Sequence, residues 1–109
     1  MSLYLTISNG LRGCYMPDNV HVARFATRKE LRQFLISECS DMREAYGFGG
    51  SKKEISAVAA WCWERRKTGW TYDMVIGFGR TRSISDRPFG LMLGHATRRD
   101  YSEYQKENN

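Results

Sequence analysis

Three short stretches concentrate the residues that could hold a ligand. "WERRKTGW" sets Arg65, Arg66 and Lys67 between Trp63 and Trp70. "GRTRSISDRP" carries Arg80, Arg82 and Arg87. "ATRRDYSEY" places Arg98 and Arg99 beside Tyr101 and Tyr104. A guanidinium is a planar fork of donors that grips phosphate or carboxylate through paired hydrogen bonds. Aromatic rings among such cations suit nucleic acid, where phosphates pair and bases stack. Trp, Tyr and Arg are also the types enriched at protein interfaces. Trp61, Trp63 and Trp70 are therefore candidate centres of a homodimer contact or of an inhibitor's contact with a target protein. Solvation explains part of the same pattern. Long loops collect charge, and cations at a helix C-terminus favour the macrodipole. No RRM, KH, zinc-finger or bZIP signature accompanies the clusters.

The phrase Gly-Phe-Gly occurs twice, in "GFGGSKK" and in "GFGRTRS". The first precedes a helix start. Gly50, Ser51, Lys52 and Lys53 there form a weak anion site, because helix N-termini present free N–H groups. The G-x-x-x-x-G-K-S/T spacing of a P-loop is missing, and a turn between two helices explains the glycines. The second phrase opens the arginine-bearing connector between two strands. A connector of that length is uncommon without a role.

The inventory for catalysis is thin. Cys14 and His21 flank the "PDN" turn and would form a nucleophile–base pair if their strands adjoin. His21 and His95 would have to meet on one face to serve a small basic ribonuclease as acid and base. Neither pair has an orienting third group in the sequence. No catalytic residue, metal ligand set or cofactor site is assigned. Cys14, Cys39 and Cys62 are odd in number and far apart. That spacing argues against a zinc site and a disulfide framework, and for reduced thiols in the cytoplasm. "MSLYLTISNG" has neither a basic start nor an apolar run, so neither a signal peptide nor a membrane partner is expected.

The whole chain bounds these readings. It has 109 residues, 41% hydrophobic and 27% charged, with 17 Lys and Arg against 12 Asp and Glu. That composition suits one globular domain and excludes intrinsic disorder. The net charge of +5 favours a polyanionic partner, although modest charge also serves solubility. Length, basicity and lack of motifs give the chain the general character of small accessory proteins of bacteria, phages and mobile elements.

The elements that must position these residues follow from periodicity. Leu3–Ile7 alternates as a half-buried strand. Asn9-Gly10 reads as a hairpin turn, followed by a strand over Leu11–Met16. Pro17–Asn19 is a second turn, and Val20–Phe25 a third strand. Thr27-Arg-Lys-Glu30 is a capping-box pattern. Behind it Leu31, Phe34, Leu35, Met42, Ala45 and Tyr46 line one helical stripe, with Glu38 inside it. Ser51-Lys-Lys-Glu54 caps a second helix whose inward face is Ile55, Val58, Ala59 and Cys62. Trp61 and Trp63 lie about 160° apart around that helix, so it is covered on two sides or one tryptophan is partly exposed. Trp70–Phe78 and Phe89–Ala96 read as the last strands, and Thr97-Arg-Arg-Asp100 as a cap for a short C-terminal helix. The prediction is an α+β domain over 1–104, with a mostly antiparallel sheet of about five strands and two helices on one face. Residues 105–109 form a frayed tail. The expected function is non-catalytic binding of nucleic acid or a nucleoprotein through an arginine-rich face. A protein interaction module centred on Trp61 and Trp63 is the alternative.

Overall fold

A computed structural model describes residues 1–11, 18–46, 51–71, 74–77 and 89–108. Among them are four strands, β1 (Leu3–Leu11), β2 (Asp18–Phe25), β3 (Met74–Gly77) and β4 (Phe89–Ala96), and three helices, α1 (Arg28–Tyr46), α2 (Lys52–Glu64) and α3 (Arg98–Glu107). The sheet order is β2-β1-β4-β3, and every neighbouring pair is antiparallel. The class is α+β, as the sequence predicts.

The predicted five strands become four for a specific reason. Asn9-Gly10 does not turn the chain. Asn9 lies opposite Leu91 and Gly10 opposite Gly90, so β1 continues to Leu11 alongside β4. On its other side the register with β2 shifts between Ile7 and Asn9. An irregularity that would have closed a hairpin is absorbed as a bulge inside a long strand. Leu11 therefore ends β1 rather than opening a second strand, and residues 12–16 lie outside the described residues. Trp70 is also not in a strand. The described part of β3 begins at Met74, and Tyr72 and Phe78 lie outside the description.

One face of the sheet carries the core. Leu3, Leu5 and Ile7 alternate inward on β1, in register with Phe25 on β2 and Leu93 on β4. Ile76 joins Leu91 on the same face. Against them pack Leu31, Leu35 and Cys39 from α1, spaced four apart, and Ile55, Val58, Ala59 and Cys62 from α2. The α2 set is the predicted one. On α1 the stripe takes Cys39 and keeps Glu38 half-buried beside it, while the side chains of Met42, Ala45 and Tyr46 lie outside those described. Truncating a fully buried leucine such as Leu5 costs about 2–5 kcal/mol in a core of this kind.

The helix starts follow their caps. Thr27 Oγ1 accepts from the Glu30 N–H at 3.1 Å, but Glu30 reaches back to the Ala26 N–H at 2.9 Å, one residue before the expected partner. Ser51 Oγ accepts from the Glu54 N–H at 3.1 Å. Thr97 and Asp100 complete a reciprocal capping box. α3 lies on the reverse face, where Tyr101 packs on Tyr4 with ring centroids 5.6 Å apart. It runs to Glu107, so Gln105, Lys106 and Glu107 are helical rather than frayed, and Gln105 Nε2 donates to the Tyr101 hydroxyl at 2.7 Å.

Burial pushes the Cys62 thiol up to about 12, with Arg65 acting weakly in the opposite direction. Two outcomes follow. Native protein at pH 8 should leave Cys62 unlabelled by iodoacetamide, as judged by peptide mass, until denaturant is added; rapid native labelling would contradict its burial. Because the folded thiol stays protonated while the unfolded one ionises near pH 9, stability should fall as pH rises above about 9.

Candidate functional site

The arginines after α2 are fixed by the two tryptophans before them. Arg65 folds back four residues onto Trp61, with its guanidinium carbon 4.2 Å from the ring centroid and Nη1 donating to the Trp61 carbonyl at 3.1 Å. Arg66 folds back three residues onto Trp63, at 4.4 Å, and Nη1 donates to the Trp63 carbonyl at 2.8 Å. These contacts explain how tryptophans on nearly opposite sides of one helix are accommodated. Both rings pack against the core with one part and are covered by a cation on another. The bonds also occupy carbonyls of the last helical turn, which have no partner within the helix. Glu64, largely exposed, is 3.9 Å from the half-buried Arg65 and neutralises it weakly.

Gly69 then reverses the chain at φ 73°, with its N–H donating to the Arg65 carbonyl at 2.8 Å. A Cβ at Gly69 would lie 2.8 Å from Cε1 and Nδ1 of His95, so the turn sits directly on that imidazole. Trp70 follows and meets two rings edge-on, Trp61 at 5.1 Å and His95 at 4.9 Å.

At the same end of the sheet, β1 begins, and β2 and β4 finish. A cleft of about 690 Å³ opens there. Its cations are Arg24 from β2, Arg66 from the turn after α2, and Arg98 from the first turn of α3; Tyr4, Tyr101 and His95 supply rings. The described lining contains no carboxylate. Arg24 is held by a bond from Nε to Ser2 Oγ at 3.1 Å. The Nε of Arg66 is buried and has no acceptor. An unsatisfied donor of this kind costs about 1–3 kcal/mol, more when charged.

The predicted site residues divide between three places. Arg66 and Arg98 meet in the cleft. Arg65, Trp61 and Trp70 line a neighbouring cavity of about 390 Å³, which shares His95 with the cleft. Arg99 points elsewhere and bonds Glu103 at 3.1 Å on the exposed side of α3, and Lys67 is exposed. Trp63 serves as the support of Arg66. Arg80, Arg82 and Arg87 lie outside the described residues, as do Cys14 and Gly50. The cleft lies at the Ala96 end of β4, the end away from Phe89. Ser51 is committed to capping α2, and Lys52 and Lys53 are exposed in its first turn.

Arg24 and Tyr4 were not singled out from the sequence. The signal lay in register: they are direct cross-strand partners on the reverse face. Register also separates the histidines. His21 and His95 share the core face but sit on strands flanking β1, about 10 Å apart in the sheet direction, beyond hydrogen-bond reach. Among the described residues no group of three His, Cys, Asp or Glu could hold a metal, and no helix is long and apolar enough to cross a membrane. No family model, curated protein or solved structure matches the chain.

Asp100 borders the cleft through its bonds to Thr97. The Thr97 N–H donates to Asp100 Oδ2 at 2.8 Å, and this bond, the Thr97 side chain and the nearby Arg99 and His95 hold the carboxyl below its ordinary range. Its contribution is present at neutral pH and lost as pH falls below about 4. Thr97→Ala should cost about 1 kcal/mol in urea unfolding. In Asp100→Asn the acid-dependent part of the stability should shrink. Gly69→Ala should cost about 1–3 kcal/mol through positive φ and the clash with His95. Unchanged unfolding midpoints would show that the turn tolerates a side chain.

Proposed function

We propose that the protein binds single-stranded nucleic acid through the cleft formed by Arg24, Arg66 and Arg98. The observation that carries this is the convergence of three arginines from three elements on one cleft whose described lining has no carboxylate. Convergence matters because scattered cations serve solubility, whereas cations around one concavity focus potential on a ligand. Tyr4 and Tyr101 give the same cleft the aromatic surface that unpaired bases use.

A strand with free bases suits the site better than a duplex. The basic residues line a recess rather than a helix or ribbon free to enter a groove. An apolar protein contact is favoured less, because Met1 is the one large hydrophobic side chain left exposed among the described residues. The net charge of +5 supports association with a polyanion.

Fluorescence anisotropy with labelled single-stranded RNA, single-stranded DNA and duplex tests the reading. If three phosphates are engaged, affinity for a single strand should fall about twentyfold between about 50 and 200 mM salt. Arg24→Ala and Arg98→Ala should each weaken binding and reduce the salt slope by about one ion. Absence of detectable binding to any of the three at low salt would overturn it.

A further inference from the structure

The cavity beside the cleft has a different character. Its lining is Trp61, Arg65, Thr68, Gly69, Trp70 and Thr71, with His95 common to both spaces. We infer that this cavity is a base-stacking subsite, in which a nucleobase lies on the outer face of the Arg65 guanidinium while the adjoining phosphates occupy the cleft. The inference rests on the single-strand reading of the cleft and adds to it a second site with its own chemistry.

Arg65 is suited to that role by the way it is held. Trp61 supports one face of the guanidinium at 4.2 Å, and the Trp61 carbonyl fixes one of its nitrogens. The group is thereby a flat, oriented platform rather than a mobile cation. About 41% of the side chain remains accessible, so a ring can reach it from the cavity side. Bases stack on guanidinium planes as they do on aromatic rings, and the contact tolerates any base because every base has a π-face. The surrounding groups match the edge of a base. Thr68 and Thr71 bring hydroxyls that donate or accept. Trp70 adds an aromatic ring to the same lining. His95 joins the two spaces, so one nucleotide unit can place its phosphate toward Arg66 and Arg98 and its base toward Arg65. The hollow is open to solvent, so a ring can enter it without displacing a core residue.

The test compares an eight-nucleotide oligouridylate with an abasic oligomer of the same length and charge, by anisotropy at about 50 mM salt. The oligouridylate should bind about tenfold or more tightly than the abasic strand. Arg65→Lys keeps the charge and removes the plane, so it should bring the two affinities together while leaving the salt slope unchanged. Equal binding of both oligomers by the native protein would overturn the subsite and leave the phosphate cleft standing. A base preference that survives in Arg65→Lys would also overturn the assignment to this platform. If neither oligomer binds, the single-strand reading falls and this inference falls with it.

Discussion

Pairing of β1 with β4 is the constraint on which the rest of the molecule depends. These strands stay in register from Tyr4 opposite Ala96 to Leu11 opposite Phe89, although most of the chain lies between them. Closing so long a loop has an entropic cost that grows only slowly with its length. The return is a sheet centre of Leu5, Ile7, Leu91 and Leu93, each with essentially no exposure. β2 and β3 are edge strands that each pair with one of these two. The same pairing brings the start of β1 to the start of α3, so Tyr4 meets Tyr101 and the cleft acquires its floor. A slip of one residue would turn Leu3, Leu5 and Ile7 to the reverse face and move Tyr4 into the core. Core and candidate site are thus consequences of one register.

What was legible in the sequence was local. Thr27, Ser51 and Thr97 each cap a helix because a cap needs only a hydroxyl and a backbone N–H three residues on. The inward face of α2 follows from a period that needs no knowledge of a partner. Asn9-Gly10 reads as a turn in isolation, but its conformation is decided by β4, which supplies partners along both residues. The alternation of Trp70, Tyr72, Met74 and Ile76 suggested one strand, yet Trp70 belongs to the turn set by Gly69 and packs on Trp61 and His95. At the site, Arg65, Arg66 and Arg98 were visible as clusters. A single arginine in a strand, such as Arg24, gives no comparable signal, since its importance lies in standing opposite Tyr4.

Two tryptophans on nearly opposite sides of α2 pose a packing problem that the following residues resolve. Each ring is too large to leave bare, and the core covers only part of each. Arg65 and Arg66 return along the helix to cover them. An arginine held in this way has already given up much of its rotamer freedom, of order 2 kcal/mol when free. Ordering that is complete before a ligand arrives does not subtract from affinity. Covering the tryptophans and fixing the cations are therefore the same event, and a local solution to burial leaves two guanidinium groups in set positions.

The departures from ordinary folding rules also gather at this end of the molecule. Among the described residues Ser8 is the one buried polar or charged residue, and the core is otherwise apolar. Among the described residues the two buried side-chain donors without acceptors, Arg66 Nε and Trp70 Nε1, both belong to the segment that leaves α2. The positive φ of Gly69 lies between them, pressed on His95. Natural folds satisfy such groups wherever stability alone is at stake, and tolerate exceptions where a ligand or a movement makes use of them. Random drift would scatter small defects over the surface. Here they belong to residues that line the cleft and the cavity sharing His95. Incomplete satisfaction and converging positive charge thus coincide at the end of the sheet where β1 begins and β4 finishes.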